Sequence, residues 1–307
     1  MTRVYDLAMT HRLDADDFFI HRVQQHCAEQ GLNFFLIEPL WVNAFLAALE
    51  SGALWSRVLL NLHSEHHLPE EIFHRLVRRC HERGVAVIDP PDVALAAFDK
   101  ARLHPRLVAA GLPVPPTLLV GAAERAHRRL TDAERSFLGS PFVIKPALGY
   151  GKRGVILDAT SEADLPRSTA QWPEGDLLLQ RLITPLQLGG EPAYFRVYFA
   201  FGHTWLCWWN CFTDHYRVVR ATEEAEFGLG ALRELARRLA DLTGMRFFSS
   251  EVALTGSKEF VLIDYVNDQC HLLCQSADPR IGVPDAVVAG IARRLVEGAA
   301  SLIRSPR

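Results

Sequence analysis

The pattern of apolar runs changes at Pro141, and that change limits the folds open to this chain more than any single motif does. Before it, strand and helix alternate. "RVYDLAM" and "NFFLIE" are short apolar strands, and "ADDFFIHRVQQHCAEQG" between them is a helix stopping at Gly31. "WVNAFLAALESG" is a second helix and "RVLLNLHS" a third strand. "PEEIFHRLVRRCHERG" is a third helix with Pro69 near its start, and "VAVIDPP" a fourth strand closed by Pro90 and Pro91. Such alternation predicts a parallel sheet with helices on both faces. "DVALAAFDKARLHPRLVAAGLPVPPTLLV" continues as a helical stretch, a Gly-Leu-Pro stop and a short strand.

After Pro141 the strands crowd together. "PFVIKPAL", "GVILDA", "DLLLQRLI", "YFRVYFAFG" and "TWLCWWNCF" leave little room for helices, which predicts a largely antiparallel sheet. One helix interrupts, with Leu232, Leu235, Ala236, Leu239 and Leu242 at helical spacing up to Gly244. "FFSSEVALTG" and "KEFVLIDYVND" are two strands around a Gly-Ser turn, and "DAVVAGIARRLVEGAASLI" is an amphipathic closing helix. No fixed-period repeat or long linker is visible.

The stretch "PALGYGKRGV" holds Gly149, Gly151 and Gly154 in a G-x-G-x-x-G pattern beside Lys152 and Arg153. A dinucleotide-binding turn needs a helix directly after the glycines, but "VILDA" is a strand. A Walker A loop needs Lys-Ser or Lys-Thr after its last glycine, and neither follows Gly154. A protein kinase places its lysine downstream and carries H-R-D and D-F-G, which do not occur here. What the residues support is a glycine-rich β-hairpin with Lys145 on its first strand. By themselves they leave open a surface hairpin whose glycines only satisfy turn geometry.

Bulk properties narrow the partners. The chain has 307 residues, 33 basic and 36 acidic, for a net charge of -3. That is not the basic excess of a general nucleic-acid or anionic-membrane binder. No run approaches the eighteen apolar residues of a membrane span, and the N-terminus reaches acidic residues before any apolar run, unlike a signal peptide. Six scattered cysteines fit reduced thiols. A cytoplasmic protein with no nucleic-acid or membrane partner is the expectation.

Five segments, "FDKARLHPRLVAAGLPVPPT", "FVIKPALGYGKRGV", "LLLQRLI", "YFRVYFAFG" and "EVALTGSKEFVLIDYVND", come in an order that resembles the ATP-grasp superfamily, over roughly Asp99 to Asp268. That superfamily includes D-alanine–D-alanine ligase, glutathione synthetase and the ribosomal-protein glutamate ligases. The resemblance implies a three-lobed α/β fold: an N-terminal open parallel-sheet lobe (1–97), a central lobe with the flap (98–178) and a C-terminal, largely antiparallel lobe (179–307). It implies ATP and Mg²⁺ as cofactors, two ions with Mn²⁺ as a substitute. Lys100 and Lys145 would hold the α- and β-phosphates, and Gly149, Gly151, Lys152, Arg153 and Gly154 would form the flap over the triphosphate.

The resemblance further implies that adenine lies along "LLLQRLI", read by Gln180 and by backbone groups of Arg181 and Leu182, with Glu191 on the ribose. Many relatives carry acids where Gln180 and Arg181 stand. Arg196, within an apolar strand, needs an anionic partner and would steady the γ-phosphate and an acyl-phosphate intermediate. Glu251, Asp264 and Asn267 match the metal positions in type and order, being hard oxygen donors suited to Mg²⁺. Asp264 and Asn267 are three apart, which on a regular strand points them to opposite faces. A bulge or the strand's end would restore convergence, or Asp268 would substitute. The implied activity is an ATP-dependent carboxylate–amine ligase acting on small-molecule or peptide carboxylates and amines, with a homodimer as the assembly it allows. A hydroxyl kinase and a silent nucleotide-binding protein are the alternatives.

Other clusters read as structural. His67, His74 and His81 are spaced by seven and fit one helix stripe better than a metal site. Cys207, Cys211, Cys270 and Cys274 read as thiols of the core, and Trp205, Trp208 and Trp209 as core aromatics. No G-x-S-x-G motif suggests a covalent hydrolase.

Overall fold

The computed structural model describes residues 2–10 and 13–304, without the side chains of 13–16, 64 and 65. The first elements are β1 (Arg3–Thr10), α1 (Leu13–Glu29), β2 (Phe34–Ile37), α2 (Val42–Glu50), β3 (Leu54–Asn61), α3 (Ile72–Glu82) and β4 (Ala86–Ile88). The four strands make a parallel sheet in the order β2-β1-β3-β4. Leu7 to Met9 and Val58 to Leu60 are buried without alternation, as in strands covered on both faces. Ala8, Leu59 and Val87 share one core cluster with Phe45 and Leu49 of α2 and Phe73, Leu76 and Cys80 of α3.

The helical stretch after β4 is two helices, α4 (Pro91–Phe98) and α5 (Lys100–Ala109). Asp99 parts them: its backbone is extended, and its carboxylate accepts the N–H groups of Ala101 and Arg102. An acid that caps a helix start ends whatever precedes it. Lys100 is therefore the first residue of α5.

Next come β5 (Thr117–Val120), α6 (Asp132–Leu138), β6 (Phe142–Pro146), β7 (Ile156–Ala159), α7 (Leu165–Thr169) and β8 (Leu177–Arg181). These strands form an antiparallel sheet in the order β5-β8-β6-β7, with Ile144, Ile156, Leu177 and Leu179 in its core. A two-residue pair, β9 (Gln187–Leu188) and β10 (Glu191–Pro192), precedes β11 (Tyr194–Ala200), β12 (His203–Asn210) and β13 (His215–Val218). The chain ends through α8 (Ala221–Glu226), α9 (Gly230–Thr243), β14 (Phe247–Leu254), β15 (Phe260–Asn267) and α10 (Asp285–Arg304). A five-stranded sheet runs β13-β12-β11-β14-β15. The strands expected after Pro141 are present. α6, just before Pro141, and α7, α8 and the edge strand β13, after it, were not expected.

By compactness the chain divides into two units drawn from separated segments. Unit 1 is Met1–Leu95, Phe195–Ser249 and Val266–Arg307; unit 2 is Ala96–Tyr194 and Ser250–Tyr265. The second unit thus takes most of β14 and β15 from a distant part of the chain. No helix of the described residues is long and apolar enough to cross a membrane.

Candidate functional site

Unit 2 carries most of the residues singled out by sequence. Its hairpin is strand, glycine loop, strand, with β6 and β7 antiparallel and Ile144 opposite Ile156. Gly151 and Lys152 have φ near +60° at the exposed tip, with nothing within 4 Å of a Cβ built on Gly151. Gly154 is different. Its φ is +73°, and an added Cβ would lie 2.8 Å from Pro146 Cγ and 3.0 Å from Trp172 Cβ. Its N–H donates to Gln171 Oε1 (3.1 Å), and the Ser168 hydroxyl donates to its carbonyl. The loop is thus pinned at Gly154 and projects from there. Arg153 stacks over Trp172 (5.3 Å), and Tyr150 meets the same ring edge-on.

At the base of this loop four charged side chains converge. Lys100 Nζ donates to Gly149 O (3.1 Å) and lies 3.8 Å from Asp264 Oδ1. Lys145, on β6, donates to Ile263 O of β15 (2.5 Å). Burial pushes the Lys145 amine below the usual lysine range; Asp264 and Glu251 pull it back up, and the Lys100 charge pushes it down again. Two amines and two carboxylates therefore act on one another within unit 2. Glu251 sits on β14 and Asp264 on β15, both partly buried. Carboxylates so placed are hard donors that fit Mg²⁺, and the amines beside them fit polyanionic oxygens.

The residues named along β8 and in β10 also belong to unit 2. Gln180 is buried, and its amide donates to Tyr265 Oη (3.0 Å) and Thr117 Oγ1 (3.3 Å). Tyr265 Oη also bonds His104 Nδ1 (2.7 Å), whose pKa burial lowers; burial raises that of Tyr265. This neutral network holds α5, β8 and β15 together, a use of Gln180 that β-period reading does not reveal. The N–H of Arg181 donates to Pro116 O (2.8 Å), and its guanidinium reaches the carbonyls of Ser136 and Phe137. Leu182 is exposed just past β8, and Glu191 is exposed in β10 opposite Leu188.

Arg196 and Asn267 belong to unit 1. Arg196 is buried on β11, opposite Cys207, with its guanidinium over the Trp209 ring (5.6 Å). Trp208 and Trp209 are core residues, as expected. Asn267 is the last residue of β15, so the strand ends where its spacing from Asp264 departs from acid-x-Asn.

Asp268, the alternative ligand, is instead buried in unit 1 against His66 Nε2 (2.7 Å) and His67 Nε2 (2.8 Å). Burial alone would raise its pKa, but the two histidines outweigh that and hold the carboxyl well below the ordinary range. The expected histidine stripe is therefore corrected. His66 and His67 lie in a 3₁₀ turn, whereas His74 and His81 lie on α3, which opens at Ile72.

No family profile matches the chain. Over 95 residues it is 34% identical to the D-alanine–D-alanine ligase of Xanthobacter autotrophicus, a stretch covering 30% of this chain and 29% of that protein. Among solved structures it is similar to a RimK-domain ATP-grasp protein from Sphaerobacter thermophilus, with a TM-score of 0.64, 19% identity and coverage of 96% and 98% of the two chains. The D-alanine–D-alanine ligase of Bacillus anthracis complexed with ATP gives 0.65, 13%, 99% and 97%. The ATP-grasp ligase PsnB complexed with precursor peptide PsnA2 and AMPPNP gives 0.60, 13%, 99% and 99%. At such identities these likenesses establish the fold.

Proposed function

We propose that this chain, which has the ATP-grasp fold, is an ATP-dependent ligase that joins a carboxylate to an amine. The observation that carries this is the cluster of Lys100, Lys145, Glu251 and Asp264 beneath the glycine loop, with Lys100 touching both Gly149 O and the Asp264 carboxylate. Solved ligases of the same fold bind ATP, ADP or AMPPNP, which supports the reading.

Glu251 and Asp264 would hold Mg²⁺ through their carboxylate oxygens. Lys145, kept easy to deprotonate by burial, gains an anionic partner when phosphate oxygens arrive, so its charge is stabilised by ligand and stabilises the ligand in turn. Lys100 would give up part of its contact with Gly149 O and neutralise a second phosphate. The loop from Gly149 to Gly154 would then close over the phosphates and exclude water, with Gly154 as its fixed end. Bound ATP and Mg²⁺ would supply the γ-phosphoryl group: a carboxylate oxygen would take it with release of ADP, and an amine would then attack the acyl carbon and displace phosphate, leaving an amide and a proton. The substrate is of peptide or small-molecule class.

The test is phosphate release from ATP and Mg²⁺ in the presence of pooled amino acids and peptides, with mass analysis of products. A pool-dependent product one water lighter than its two components is the expected result. A phosphorylated hydroxyl product, or nucleotide binding without turnover, would overturn the ligase.

A further inference from the structure

Unit 1 holds a second polar centre that the ligase chemistry leaves unused. His66 and His67 follow β3 in a 3₁₀ turn, Asp268 follows β15, and all three side chains are at least nine-tenths buried. Their ligating atoms lie within 4.8 Å of one another, the one such group of three among the described residues. Two histidines and one carboxylate are a donor set for borderline transition ions, because imidazole nitrogen suits zinc-class metals and not Mg²⁺.

A second observation points to a ligand. Asp268 has only one oxygen engaged by the histidines. Its Oδ1 is buried with no hydrogen-bond partner, and so is Oε1 of the adjacent Gln269. Both residues line a cavity of ≈ 10 Å³ together with Asn61, His66 and Asp89. That is room for about one water-sized sphere. Buried acceptors lining a cavity need a donor or a cation, and this one, walled also by Val77, Ile88 and Phe247, offers the volume of the water that completes a three-ligand metal site. The sheet order also reverses between β1 and β3, and their carboxyl ends meet here through Thr10 Oγ1, which donates to Asn61 Oδ1 (2.6 Å). Open parallel sheets bind ligands beyond such ends.

We propose that His66, His67 and Asp268 bind one divalent transition-metal ion of the zinc class, with a water in the neighbouring cavity as its fourth ligand. Both imidazoles would bind through Nε2 and Asp268 through its carboxylate. The site joins the segment after β3 to the segment after β15, and it is chemically distinct from the all-oxygen pair Glu251 and Asp264.

The experiment titrates the full chain, stripped with chelator, with Co²⁺ as a spectroscopic probe and then competes it with Zn²⁺, in Mg²⁺ buffer without ATP. One equivalent of Co²⁺ with visible ligand-field bands, displaced by Zn²⁺, is expected. The bands should persist in a Glu251→Gln, Asp264→Asn double variant and disappear in His66→Ala, His67→Ala. Asp268→Asn removes a buried partner of two histidines and could unfold the region. His67→Gln, checked for folding by circular dichroism, keeps the question answerable and should weaken Co²⁺ binding by about 100-fold or more. No stoichiometric Co²⁺ in the wild-type chain, or unchanged binding in folded His67→Gln, would overturn the site.

Discussion

Lys145 is the residue whose environment says most about the chemistry. A lysine buried beside two carboxylates and a second amine is a paired charge whose balance an arriving anion or metal would shift. Lys145→Ala and Asp264→Ala should each lower ATP turnover by about 100-fold or more, read as phosphate release; full activity in either would remove the assignment. Gly151 and Gly154 make a contrast at the same scale. Both have positive φ, so alanine at either costs about 1 kcal/mol in strain. Only Gly154 is also crowded by Pro146 and Trp172, which adds roughly 1–3 kcal/mol. Thermal unfolding should therefore show Gly154→Ala well below Gly151→Ala, and equal melting temperatures would refute the idea that the loop is anchored at Gly154. The glycine letters were legible in sequence. Which glycine is packed was not, because Trp172 is eighteen positions away from Gly154 and reaches it only through folding.

Elements were read well where a pattern repeats and poorly where a cap decides. The alternation of β1 to β4 was clear from apolar runs, and the break at Asp99 was available in the sequence as a capping acid inside a helical run. α6 carries the same kind of signal: "TDAE" is a capping box, with Thr131 and Glu134 satisfying each other's backbone N–H groups. α8 adds partners from the neighbouring strands to a local cap of its own. Glu223 accepts from the Arg220 N–H and guanidinium, from Arg217 and from Trp208. Burial alone would raise its pKa, but the Arg220 and Arg217 contacts outweigh that and bring the carboxyl down to about 2. A depressed acid stabilises the fold above its unfolded value and loses that contribution as pH falls through the folded one. Urea unfolding should thus show a loss on the order of 2 kcal/mol between pH 4.5 and 2, after allowance for screening at the exposed Arg220. Glu223→Gln should flatten that part of the profile; an unchanged slope would move the acid sensitivity elsewhere.

Across the whole molecule, each unit has its own core, and unit 2 borrows Ser250–Tyr265 from far along the chain. Adding Mg²⁺ and ATP should slow amide exchange through 147–155 and around Glu251 and Asp264, as expected when a ligand binds only the folded state. Exchange in 147–155 that is indifferent to nucleotide would separate the loop from the phosphates. The sequence by itself determined the class of fold and the parallel-then-antiparallel order, because hydrophobic periodicity is a local property; the amines and acids beneath the loop were picked out by the resemblance of its motifs to ATP-grasp proteins. Only the tertiary structure decided that Gln180 serves a buried network with Tyr265, and that Asp268 turns to His66 and His67 across about two hundred positions. Partners so distant in sequence meet only where the sheets and their connecting segments bring them, and no local pattern encodes that meeting.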